Sequence, residues 1–137
     1  MRLIVLDTNA LIQSLPSQSQ YHQIWTDFLK GTYRLCVSNE ILTEYEEILS
    51  VHISPEIAHN VVEAIARHPK TLYRESYYRF HLLQDIDSDD DKFVDCAITA
   101  GADYIVTEDN HFDRLKQIPF PRINIISLDD FNEILKR

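Results

Sequence analysis

The tightest constraint on the fold lies in the first seven residues. Arg2 to Leu6 reads as a short strand that runs apolar from Leu3 onward without alternation. A strand with no polar face must be covered on both sides, which is the usual condition of a strand inside a parallel sheet. The run ends on Asp7. In open α/β sheets the carboxyl ends of the strands form the edge where sites are built, so an acid in that place is a first candidate for chemistry.

The remaining chain repeats the pattern of strand then helix. After a polar loop containing Pro16 and three glutamines, Tyr21 to Leu29 carry helical spacing, and Arg34 to Val37 read as a second strand. Ser38 or Asn39 can cap a helix from Glu40 to about Ser50, with Glu40 favourable in its first turn. Pro55 opens another helix to about Arg67, whose apolar stripe is Val61, Val62, Ile65 and Ala66. A short strand is placed at Thr71 to Tyr73, inside the mixed stretch Lys70 to Phe80. The acidic run Asp85 to Asp91 leads into a helix ending near Gly101. Strands follow at Tyr104 to Thr107 and Ile123 to Ile126, and Ser127 caps a last helix from about Leu128. Such alternation predicts an α/β sandwich around a parallel sheet. With 137 residues and no linker or internal repeat, one domain spanning 1–137 is expected.

Hydrophobic residues at 45% and charged residues at 26% are the mix of a globular protein that folds on its own. No apolar run approaches the roughly 18 to 20 residues needed to span a bilayer, and the start resembles neither a signal peptide nor an anchor. Cys36 and Cys96 each lie in apolar periodic stretches and read as small buried hydrophobes, so a reduced, cytoplasmic protein is expected. Acidic residues outnumber basic ones 22 to 13, a net charge of −9 that argues against a polyanionic partner. The objection weakens where clustered carboxylates hold divalent cations, which invert the local field.

Acids recur at the strand ends. Asp7 follows the first strand, the helix bearing Glu44 follows the second, and Asp109 follows Tyr104 to Thr107. Projecting the helix that Asp90 opens puts Asp90 on the side of Phe93, Ala97 and Ala100, pointing inward, with Asp95 on the opposite side. Carboxylates gathered at one edge raise one another's pKa unless a cation neutralises them. Mg2+ or Mn2+ takes oxygen ligands and binds one or two carboxylates per ion together with substrate phosphate. Each acid also has an ordinary reading. Asp7 before Thr8-Asn9 suits a turn or cap, and Glu44 flanks its apolar face at the angle of Glu46, as a solvated acid would. Asp87 to Asp91 suits a solvated loop with one capping residue, and Asp109-Asn110 suits a turn.

In combination these segments resemble a known family. LDTN at Asp7, SNEILTEYEEIL around Glu44, DSDDDKFVDCAITAGADYIVTEDNHF and the closing INIISLDDFNEIL are similar to the ordered motifs of PIN domains, and closest to bacterial VapC-like toxin components of toxin-antitoxin pairs. The resemblance covers nearly the whole chain and implies a three-layer α/β/α sandwich with a central parallel sheet. It also implies Mg2+- or Mn2+-dependent cleavage of single-stranded RNA, leaving a 5′-phosphate and a 3′-hydroxyl. By the same resemblance Asp7, Glu44, Asp90 and Asp109 are the catalytic and metal-holding acids, and Thr8, Asn9 and Thr107 orient carboxylates and water. A small antitoxin protein and a homodimer are the associations it implies.

Two positions depart from the pattern. His111 stands where relatives often carry another Asp, and metal ligand, phosphate contact and solvent-facing residue all remain open, with a supporting or solvent role favoured. Asp91 stands where the group often has Asn, so the assignment among Asp89, Asp90 and Asp91 can slip by one. The other histidines, His22, His52, His59, His68 and His81, lack paired ligand spacing and read as surface or packing residues. Trp25, near Phe28 and Leu29, reads as core. Tyr73, Arg74, Tyr77, Tyr78 and Arg79 offer RNA charge and stacking surfaces, or form an ordinary sheet edge. An aspartyl-phosphate hydrolase would want a second Asp where Asn9 stands, and a receiver would want a late lysine where Glu108, Asp109 and Asn110 follow Thr107. Two glycines cannot build a phosphate cradle. A non-catalytic PIN-like module that binds RNA or acts as a scaffold is the alternative function.

Overall fold

The computed structural model describes residues 1–76, 79–83, 90–118 and 121–137. Its elements are β1 (Leu3–Leu6), α1 (Thr8–Ser14), α2 (His22–Lys30), β2 (Arg34–Val37), α3 (Asn39–His52), α4 (Pro55–Arg67), β3 (Thr71–Tyr73), α5 (Asp91–Ala100), β4 (Tyr104–Val106), β5 (Ile125–Ile126) and α6 (Leu128–Lys136), with a 3₁₀ helix at Asn110–Gln117. The five strands form one sheet in the order β3-β2-β1-β4-β5, and every pairing is parallel. Helices flank the sheet, which gives the expected three-layer α/β/α architecture.

β1 lies at the centre because nothing along it tolerates water: Ile4, Val5 and Leu6 are at most 1% exposed. It pairs with β2 through Leu3↔Arg34 and with β4 through Leu6↔Val106. The Asp7 amide extends that second ladder by donating to the Val106 carbonyl at 3.1 Å. The Asp7 carbonyl then accepts from the Leu11 amide at 3.1 Å, so the chain turns directly from β1 into α1. This helix stands where the sequence suggested a polar loop. At seven residues it is too short for periodicity to announce, and it is held by burial of Ala10 and Leu11 and by the Ser14 hydroxyl donating to the Leu11 carbonyl at 2.7 Å.

Three of the remaining helices, α3, α4 and α6, begin where their capping serines predict. Ser38, Ser54 and Ser127 accept from the Ile41, Ile57 and Asp130 amides, and Pro55 opens α4. Gly31 and Gly101 close α2 and α5 in the left-handed region, where a side chain would be strained. The strand at Thr71–Tyr73 forms as expected and is an edge of the sheet. The 3₁₀ helix was not evident from the sequence, since two buried residues, Phe112 and Leu115, have the three-residue spacing of such a turn but are too few to announce it.

Cys36 and Cys96 are buried free thiols, and burial pushes them up to about 11 and about 12, which leaves them protonated and inert. Trp25 is half-buried and packs on Phe28 at 5.6 Å, as a core-edge residue does. Among the described residues no helix is long and apolar enough to cross a membrane.

One contact fixes α3 against the centre of the sheet. Tyr45 is fully buried, and its hydroxyl donates to the Leu6 carbonyl at 2.6 Å, across from the end of β1. Burial of the ring holds the Tyr45 hydroxyl far above its ordinary range, so it is always a donor. Tyr45→Phe keeps the ring and deletes this bond, leaving a buried carbonyl short of a donor. We expect it to destabilise the fold by about 1 to 3 kcal/mol, read from urea unfolding midpoints at unchanged slope; an unchanged midpoint would show that the bond contributes nothing.

Candidate active site

The acids reach the carboxyl edge of the sheet by different routes. Asp7 comes directly off β1 and is 8% exposed, the burial of a residue that has not left the core. Thr107 comes directly off β4, its amide donating to the Ile126 carbonyl of β5 at 3.0 Å, and it is 4% exposed. These adjacent strand ends are joined by side chains, with the Thr107 hydroxyl donating to Asp7 Oδ2 at 2.8 Å. The same hydroxyl oxygen accepts from the Asp109 amide at 2.9 Å. One threonine thus orients the Asp7 carboxylate and shapes the turn that carries the half-buried Asp109. Glu108 points elsewhere, accepting from the Leu128 amide at the start of α6 at 3.2 Å.

Glu44 arrives from α3. Its neighbour Tyr45 is tied to Leu6, one residue before Asp7, which turns that stretch of α3 toward the same edge. Glu44 is half-buried while Glu46 is exposed, so the two acids that periodicity could not separate have different environments. Glu44 Oε2 accepts from the Thr8 hydroxyl, and Lys92 Nζ lies 2.8 Å from Glu44 Oε1. Lys92 belongs to the first turn of α5, two residues beyond Asp90, and its ammonium also lies 5.6 Å from the centre of the Phe93 ring. Asp90 is half-buried at the N-terminal end of α5, with Oδ2 shielded from solvent.

The electrostatics follow from this crowding. Burial raises the Asp7 pKa above its ordinary 3.8, the Thr107 hydroxyl and the Thr8 amide draw it back, and the Asp109 and Glu44 charges push it up again. Asp109 and Glu44 are therefore each near enough for Asp7 to feel their charge. Among the described residues, no three His, Cys, Asp or Glu side chains stand close enough together to enclose an ion as they are arranged.

The other expected residues separate. Thr8 is buried and engaged with Glu44. Asn9 is exposed on α1. Asp91 accepts from the Leu83 amide at 2.8 Å. His111 lies in the 3₁₀ helix, and Asp89, Tyr77 and Tyr78 lie outside the described residues. His22 and His68 are packing residues, bonded to the carbonyls of Ser14 and Leu29. Asp95 shows what a helical projection leaves out. It was expected on the side of α5 away from the interior, yet it is 2% exposed, because residues 79–83 cover that side and the Phe80 amide donates to Asp95 Oδ1 at 3.1 Å. Arg79 in that segment pairs with Glu40 at 2.6 Å. Lys92 was missed altogether; the one signal for it was a lone cation within an acidic run.

Comparison with known proteins agrees with this fold. The sequence profile of the PIN domain matches residues 3–111. No curated protein matches the chain. Among solved structures, VapBC2 from Rickettsia felis, bound to a DNA fragment from its promoter, superposes with a TM-score of 0.63 at 16% identity, covering 91% of this chain and 98% of that one. DNA-bound VapBC from Salmonella typhimurium gives 0.62 at 21% identity over 93% and 99%. FitAcB from Neisseria gonorrhoeae gives 0.60 at 14% over 91% and 97%.

The raised Asp7 pKa carries a testable sign. Folded protein holds the Asp7 proton more tightly than unfolded chain does, so the stability this provides is present below the ordinary value of 3.8 and is lost as pH rises through the raised folded value. Ionised Asp7 therefore costs stability at neutral pH. In chelator, Asp7→Asn should melt above wild type at pH 7, with the margin shrinking as pH falls toward about 4. An equal or lower melting temperature for the variant at pH 7 would contradict that placement of the charge. With the PIN domain profile matched over residues 3–111, most of its length, the chain belongs to the PIN domain family.

Proposed function

We propose that the chain, as a single nuclease domain over residues 1–137, is a metal-dependent endoribonuclease that hydrolyses phosphodiester bonds of single-stranded RNA, acting as the toxin component of a toxin-antitoxin pair. The observation that carries this reading is the buried Asp7 at the carboxyl edge of a parallel sheet, crowded by the charges of Asp109 and Glu44. Buried like charges are costly to keep, and a fold that keeps them at a strand edge has a use for cations there.

The donor chemistry fits a hard divalent ion. The side chains of Asp7, Glu44, Asp90 and Asp109 offer carboxylate oxygens, the ligands Mg2+ and Mn2+ prefer. Asp7 and Asp109 would hold the ion, while Glu44 and Asp90 bound the pocket. Such an ion supplies positive charge to polarise the scissile phosphate and to ease deprotonation of the attacking water. The protein's own part is orientation. Thr107 holds Asp7 Oδ2 and the Asp109 turn in a fixed relation, and Thr8 does the same for Glu44. Water adds to phosphorus as the bond to O3′ breaks, giving the 5′-phosphate and 3′-hydroxyl that the resemblance implies. A polyanion meeting a chain of net charge −9 needs that local neutralisation before it can approach.

The VapBC and FitAcB likenesses support a small antitoxin protein as partner, and the same reading makes the chain a cytoplasmic homodimer. The engagement of Glu44 with Lys92 favours a second reading, a PIN-like module that binds RNA without cutting it. Cleavage of mixed single-stranded RNA with Mn2+, with and without chelator, separates the two. Asp7→Asn and Asp90→Asn should keep the circular dichroism of wild type and lose on the order of 10² to 10³ in cleavage rate. RNA binding need not fall with it, because removing a negative charge reduces repulsion. Failure of wild type to cleave across varied sequence and salt, or equal cleavage by Asp7→Asn, would sink the nuclease reading.

A further inference from the structure

Glu44 is the acid whose surroundings differ from those of Asp7. Both of its oxygens already face protein donors, the Thr8 hydroxyl at Oε2 and the Lys92 ammonium at Oε1, 2.8 Å away. The pair is withdrawn from solvent, the side chains of Lys92 and Glu44 being 15% and 22% exposed, whereas the other lysine ion pairs among the described residues, Lys116–Asp113 and Lys136–Glu133, are more than half exposed. A lysine that is mostly buried gives up hydration, which it does only where a fixed negative charge replaces it. Through the Thr8 hydroxyl, Glu44 is tied to the residue that directly follows Asp7.

We propose that Lys92 is the resident cation of this pocket: it neutralises Glu44 in place of a divalent ion, so that the metal is needed only beside Asp7 and Asp109. This rests on the reading of the edge as a divalent-cation site. The Lys92–Glu44 pair adds no net charge, and Lys92 acts as a positioning residue that holds Glu44 back from the ion. Without the ammonium, Glu44 keeps the Thr8 hydroxyl at Oε2 but its charge is uncompensated, next to a site that attracts cations.

The consequence is a compensating pair, read by calorimetric titration of the full chain with Mn2+ alone. Lys92→Met removes a like charge and frees a ligand, so Mn2+ should bind on the order of tenfold tighter than in wild type. Glu44→Gln leaves the ammonium unopposed and should weaken Mn2+. The double variant should return to within about threefold of wild type, while Lys92→Arg, which keeps the charge, should stay near wild type throughout. If Glu44 is instead a metal ligand with Lys92 incidental, the double variant binds as poorly as Asp7→Asn, and the proposal is overturned. It is also overturned if Lys92→Met binds no tighter than wild type. Should Lys92→Met fail to fold, the comparison of Lys92→Gln with Lys92→Gln/Glu44→Gln reads the same coupling.

RNA cleavage is scored separately. Wild type that shows this Mn2+ pattern but cuts no RNA removes the nuclease and leaves the role of Lys92. Wild type that binds no Mn2+ removes the metal site as proposed; binding gained by Lys92→Met and lost again with Glu44→Gln would then still uphold Lys92 as the excluding cation, and no binding in any variant would overturn it.

Discussion

The carboxylate of Asp7 is held where a carboxylate is least comfortable, one residue beyond a central strand that excludes water. The hydrogen bond from Thr107 makes this tolerable. It satisfies one carboxylate oxygen, and it also ties the ends of β1 and β4 together by side chains just where their backbone ladder stops. The Asp109 turn is built on the same hydroxyl, and α1 starts from the Asp7 carbonyl. Strand centre, site acid and the two connections leaving the edge therefore depend on one another. A shift of β1 by one residue would exchange Asp7 for Leu6 at the edge and turn an apolar side chain toward the acids.

The distribution of charge follows from that arrangement. A chain of net charge −9 gains nothing by burying more acids, yet Asp7, Asp91 and Asp95 are all nearly inaccessible. Their partners explain the differences among them. Asp91 and Asp95 accept from the Leu83 and Phe80 amides, and in doing so they clasp residues 79–83 against α5. Those two acids are structural, with backbone dipoles in place of water. Asp7 has a hydroxyl and other acids nearby, a setting that favours the approach of a cation over further packing. Glu44 stands between these cases, near Asp7 but facing an ammonium and a hydroxyl.

Much of this was legible along the chain. The unalternating apolar run after Arg2 belongs to a strand buried on both faces, and the serines before α3, α4 and α6 cap those helices as their chemistry predicts. Pro55 and Gly101 likewise mark a helix start and a helix stop. What escaped were the elements too short to carry a period, α1 and the 3₁₀ helix, and the side of α5 covered by residues 79–83. A helical projection knows the angles around one axis. It has no knowledge of an irregular segment lying across the supposed outer face, and so it gave no sign of the cover that buries Asp95.

For the site, sequence alone determined which acids follow strands and helix starts, because that is a matter of local order: Asp7 after β1, Asp109 after β4, Asp90 at the head of α5. It could not determine which of them share a pocket. Glu44 and Glu46 have nearly the same angle to the apolar face of α3, and only the packing of Tyr45 against Leu6 turns one toward Asp7 and leaves the other in solvent. Lys92 is a further case. Along the chain it is one cation in an acidic run, and its meaning arises from an ion pair to a residue 48 positions away. Such pairings depend on how separate helices seat on the sheet, a property of the whole packed core that no window of neighbouring residues contains.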